Sequence, residues 1–229
     1  LTGWWWSIRT AGDAGHGMAG MDAMEASMSL GAFAVAWVAM MAAMMLPAVL
    51  PVVRLYAQAA ARGRVAPTGF FALGYLALWA AMAAPAFLAW RALEEPLAAG
   101  RPWVARVAGV TFLAAALWQL TPLKSACLRH CRSPLGFFLR HGGGAKRPLR
   151  AVRLGATHGV ICIGCCWAIF AILVVLGTMN LVWMAALTAL ILLEKHARHG
   201  EAIATLAGVA FVLLGGVLLV DTSFLMDLT

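Results

Sequence analysis

Charge is the scarcest property of this 229-residue sequence: Asp, Glu, Lys and Arg make up 11%, and only nine residues are acidic. Soluble domains carry about 25% charged residues, so a soluble globular fold is excluded. The chain lacks a nucleotide-binding fingerprint, a Ser/His/Asp arrangement and paired carboxylates suited to hydrolysis. It therefore reads as a binding protein rather than an enzyme. Its apolar runs are continuous rather than alternating, which argues against a closed β-barrel. The start of the chain shows no cleavable-signal pattern. The five cysteines are odd in number and all fall between positions 127 and 166, unlike an extracellular disulfide framework.

What is abundant is apolar: 63% of residues are hydrophobic and mean hydropathy is +0.88. The expected fold class is all-α, a polytopic transmembrane helix bundle with about six spanning helices. The apolar segments are 30–53, 68–90, 103–120, 155–177, 181–193 and 202–220. Pro47 and Pro51 should kink the end of the first. Gly215, Gly216 and many alanines allow close helix contacts. The opening LTGWWW resembles an interfacial anchor, since Trp collects at headgroup level, and an upstream helix is expected before it.

The net charge of +8 would suggest nucleic acid in a soluble protein. Here it sets orientation and meets anionic lipid, so the expected partner is the bilayer and not nucleic acid. Residues 119–153 hold eight of the 17 Lys and Arg residues and no acid. The loop 121–154 is expected to be cytoplasmic, as are the basic loops after segments one and five. Residues 1–28 form an outer, periplasmic segment, and residues 29–229 form the bundle. Within the basic loop, Pro122 and Pro134 bracket a short helix, and the Gly142-Gly143-Gly144 run reads as a hinge or loop.

The chemistry-bearing residues concentrate in GATHGVICIGCCWAIFAILVVLG, residues 155–177. At 3.6 residues per turn, His158, Cys162 and Cys165 or Cys166 share one broad face. An imidazole and soft sulfurs together suit Cu(I), with Zn(II) as the alternative. Cysteine also packs well as a small apolar residue. Three further groups carry soft ligands. His16, Met18 and Met21 lie in the polar N-terminal segment. Met40 and Met44, and Met41 and Met45, form i, i+4 pairs in segment one. Cys127 and Cys131 repeat that spacing in the basic loop, although four-residue spacing is a weak metal signal. With the basic loops inside, thioethers lie toward the outer face and thiols toward the inner one. At about 1.5 Å per residue, both the Met pairs and the Cys group fall near mid-membrane. A helix offering ligands at i, i+4 needs a second element to close a shell, and Cys127 and Cys131 are the nearest sulfurs for that purpose.

The stretches AMMLPAVLP, QLTPLKSACLRHCRSPL, THGVICIGCCW and MNLVWMAALTALILLEK, in that order, resemble a bacterial family of predicted metal-binding integral membrane proteins, a domain of unknown function. The resemblance spans about Trp37 to Gly200, and its PLKxxCLxxCRSP and HGxxCxGCCW motifs are specific. It implies Met44, Met45, Pro47, Lys124, Cys127, Cys131, His158, Cys162, Cys165, Cys166 and Glu194 as characteristic positions. It implies a multi-pass protein of the bacterial inner membrane, often with a helix ahead of the His/Met segment. Copper itself follows from ligand type. The leading expectation is a copper-binding protein of transport or delivery, with copper-accepting proteins or other membrane subunits as partners. An accessory subunit of a larger membrane complex and a thiol-based membrane oxidoreductase are the alternatives. The last is set behind for want of a recognised Cys-x-x-Cys and of a cofactor motif.

Overall fold

The computed structural model describes residues 29–176 and 181–225. All regular structure among them is helical, as the composition requires. His16, Met18, Met21 and the LTGWWW anchor lie outside the described residues.

The helices are α1 (Leu30–Ala61), α2 (Thr68–Ala81), α3 (Ala83–Ala98), α4 (Pro102–Gln119), α5 (Pro122–Arg132), α6 (Pro134–His141), α7 (Pro148–Val175), α8 (Leu181–His196) and α9 (Gly200–Val220). α7 is the central element and packs against α2, α3, α4, α5 and α8. α1 lies across α2, α3 and α8, while α9 lies along α4 and touches α8.

All six apolar segments are helical, but they differ in length. Four spans are long and apolar enough to cross a membrane: Leu30–Ala61, Thr68–Leu97, Pro148–Val175 and Gly200–Val220. A fifth arises if α4 and α5, bent by 66° at their junction, are taken as one. Six is thus an approximate count, because α8 has only 16 residues. Its last turn holds Glu194 and Lys195, both buried, so these two polar side chains belong to the core, while the terminal His196 is exposed.

Three boundaries differ from expectation: the second apolar segment breaks at Met82 into α2 and α3 and runs on to Ala98 instead of ending at Trp90. α1 continues through Pro47 and Pro51 to Ala61 instead of ending near Val53. Each proline forfeits a single backbone bond, and the flanking Met44, Met45, Val49 and Val52 are fully packed. α7 begins at Pro148, not Gly155, so the basic end of the loop is already helix.

The junction of α4 and α5 follows from local chemistry. Pro122 opens α5, and the Thr121 hydroxyl accepts from the Lys124 backbone N–H at 3.2 Å. Both are standard devices for starting a helix in a new direction. Pro134 restarts the chain as α6 in the same way, and a left-handed Gly144 (φ 74°) turns it toward α7. The short helix bracketed by two prolines and the glycine turn are therefore both present.

The closest helix contact is α2 on α7. A Cβ on Gly74 would fall on the Val152 carbonyl, and one on Gly155 would fall on the Phe71 carbonyl. Small residues let two backbones approach in this way. Gly215 serves the α4–α9 contact similarly, where it meets Gly109, whereas Gly216 faces open space. Gly155→Ala is expected to destabilise the protein by about 1–3 kcal/mol or more, the usual cost of overpacking. Thermal unfolding of the detergent-solubilised protein measures it, and an exposed control such as Gly69→Ala, with open space around the added methyl, should leave the midpoint nearly unchanged.

Candidate metal centre

α7 carries Cys162, Cys165 and Cys166, which the i, i+3, i+4 spacing places on one face. All three are buried, at 0%, 1% and 0% exposure. Their Sγ atoms lie within 4.8 Å of one another, and those of Cys165 and Cys166 are 3.2 Å apart. With metal–sulfur bonds of about 2.3 Å, two thiolates on one ion lie no more than about 4.6 Å apart. The triad is therefore nearly at ligating distance as it stands.

The bend between α4 and α5 brings a second element over this face. Cys131 reaches the triad, its Sγ 3.7 Å from that of Cys165. Cys127 lies one turn earlier and packs onto Gly164, where a Cβ would be 3.2 Å from its Sγ. The two sulfurs of α5 are both half-buried. Of the four-residue pair, Cys131 joins the thiol group and Cys127 flanks it.

His158 sits one turn before Cys162 and is completely buried. Its ring packs among Phe71, Tyr75 and Phe137, and neither ring nitrogen has a hydrogen-bond partner. A buried polar group without a partner is costly. The simplest bland role for this histidine, a bond to a nearby carbonyl, is therefore not what the structure shows. Its nitrogens lie outside the tight sulfur group. Met40, Met41, Met44 and Met45 are all buried, in the same continuous core as the three cysteines. The structure brings these thioethers into that core.

The electrostatics were less legible in advance. The Lys124 ammonium is fully buried; it donates to Glu194 Oε2 at 2.7 Å and to the Cys165 carbonyl at 2.7 Å. Gln119 donates to the other Glu194 oxygen at 2.7 Å. This network ties α4, α5, α7 and α8 together directly beneath the thiols. Lys195, next in sequence, donates to Cys162 Sγ at 3.0 Å. The Tyr75 hydroxyl lies 3.2 Å from the same sulfur.

Lys124 and Glu194 are characteristic positions of the resemblance, but Lys195, Tyr75 and Gln119 were missed. A lysine at the end of an apolar helix usually snorkels to the interface. The signal to the contrary is its place beside Glu194 on a helix too short to present both at a membrane surface. Reading α7 by i, i+4 faces also passes over Cys162-Ile163-Gly164-Cys165, a Cys-x-x-Cys that bears on thiol exchange.

The donor set of clustered thiols, with one partnerless imidazole a turn away, is soft, and it suits copper or another soft metal. No curated protein and no solved structure matches the chain. Residues 34–218 match the family model PpoB2, described as copper chaperone, and the protein belongs to that copper chaperone family.

Proposed function

We propose that this protein is an integral membrane copper chaperone that takes up Cu(I) as cargo at the thiols of α7 and passes it to a copper-accepting protein. The observation that carries this reading is the convergence of Cys131 from α5 on the buried triad of α7 at 3.7 Å. It places a half-buried thiol against fully buried ones. Copper(I) moves between thiols by ligand exchange, so such a step lets the ion enter or leave a closed site without being released.

Cys162, Cys165 and Cys166 form the core of the site in this reading, two of them holding Cu(I) as thiolates at any one time while the third stays a thiol. Cys131 is the exchange ligand, Cys127 flanks it, and His158 supplies an imidazole from the adjacent turn. Met40, Met41, Met44 and Met45, with His16, Met18 and Met21 ahead of them, gather the ion from the outer side. The membrane setting is that of a multi-pass protein of the bacterial inner membrane, with the basic α5–α6 region at the cytoplasmic face. Outward-facing Val35, Leu117, Val182 and Leu206 remain well exposed, as residues facing hydrocarbon would be. The test is elemental analysis of the purified protein with its five cysteines intact and replaced by serine. Copper present in the first and lost in the second supports the reading; equal copper in both defeats it.

The same 3.7 Å contact favours thiol exchange as a second behaviour. Oxidation by a small disulfide joins Cys131 to Cys165: the two thiols lose two electrons and two protons, and the reagent leaves as two thiols. The joined chain is expected to bind little Cu(I) until it is reduced. Peptide mapping without reductant identifies the bond, and a disulfide found only at Cys127 would contradict this expectation.

A further inference from the structure

The buried charges around the thiols do not cancel. Lys124 and Glu194 form an ion pair at 2.7 Å, with both side chains 1% exposed. Both Glu194 oxygens are already engaged, by Lys124 and Gln119. Lys195 is 7% exposed, and among the described residues it makes no ion pair with a carboxylate. Its ammonium points instead at Cys162 Sγ, at 3.0 Å. A cation placed this deep requires an anion close by, and the thiol group is what it faces.

We propose that Lys195 is a specificity-determining counter-charge, which makes the centre select a monovalent soft ion over a divalent one. The inference rests on the copper reading of the α7 thiols and deepens it. A Cu(I) ion held by two thiolates carries one net negative charge, and Lys195 cancels it. A divalent ion on the same two thiolates is neutral, so Lys195 is left as an unbalanced buried charge. To reach balance, a divalent ion must recruit a third thiolate. In a medium that screens charge poorly, this difference of one unit decides affinity. Ag(I), with the same charge and softness as Cu(I), belongs to the favoured class. Lys195 acts through Cys162 and is a positioning residue, not a ligand.

The test compares the full-length protein with Lys195→Gln and Lys195→Arg in detergent under reducing conditions. Cu(I) and Zn(II) affinities are each measured by competition with a chromophoric chelator. Glutamine approaches the lysine stem in length, removes the charge and brings no soft donor; arginine keeps the charge. Lys195→Gln is expected to lower Cu(I) affinity at least about tenfold, in line with the loss of groups that tune a ligand from outside the coordination shell. Zn(II) affinity is expected to hold or rise, so the preference shifts toward the divalent ion. Lys195→Arg is expected to restore the Cu(I) preference. X-ray absorption should show the same number of sulfur ligands on copper in wild type and Lys195→Arg.

A purely structural role would weaken both metals together, and that result overturns the proposal, as does an unchanged Cu(I) affinity in Lys195→Gln. Wild-type protein that takes up no Cu(I) at all defeats the copper reading itself and is distinguished from failure of the counter-charge by that wild-type measurement alone.

Discussion

Cys162→Ser is expected to lower copper affinity by more than about 100-fold. Groups that only orient a ligand from outside the shell are worth 10–100-fold, and Cys162 is placed to be a ligand. Its sulfur lies at the centre of the arrangement: it belongs to the three-sulfur group, receives the Lys195 ammonium at 3.0 Å and contacts the Tyr75 hydroxyl at 3.2 Å. Serine keeps the size and a polar atom but offers copper a hard oxygen in place of a soft thiolate. Cys127→Ser provides the contrast. Cys127 packs on Gly164 and stands outside the triad, so its loss should be several-fold at most. Chelator competition on the two purified variants measures both. Equal losses would mean that Cys127 is as much a ligand as Cys162, which the geometry does not favour.

The second large effect is on stability. Lys124→Met leaves Glu194 buried and opposite no cation, and breaking a buried pair in this way costs about 3–5 kcal/mol. The loss would be felt at the metal centre as well, because Lys124 also holds the Cys165 carbonyl at 2.7 Å. The double variant Lys124→Met/Glu194→Met should recover much of the stability, since buried pairs replaced by apolar residues are often neutral or better. Thermal unfolding followed by tryptophan fluorescence in detergent gives both values. A double variant no more stable than Lys124→Met would mean that the network serves the fold through its shape and not its charge balance.

The pattern of apolar runs is enough to determine the helical class, since an apolar medium leaves a backbone only helices or closed barrels, and continuous runs do not fit a barrel. The short helix after Pro122 was equally legible, because proline and threonine act locally. So was the shared face of Cys162, Cys165 and Cys166, because helical spacing is a local rule. The roles of single residues beyond their own helix were not. Whether Cys131 or Cys127 meets the triad depends on the 66° bend between α4 and α5, a quantity no periodicity contains. Whether Lys195 reaches the headgroups or turns inward depends on α8 being short and packed against α7. Met40, Met41, Met44 and Met45 are buried in either case, and only packing could tell that they share a core with the thiols. Local spacing determined which ligands point the same way on one helix. The crossing of separate helices decided which charges and sulfurs face one another, because those distances depend on how whole segments dock.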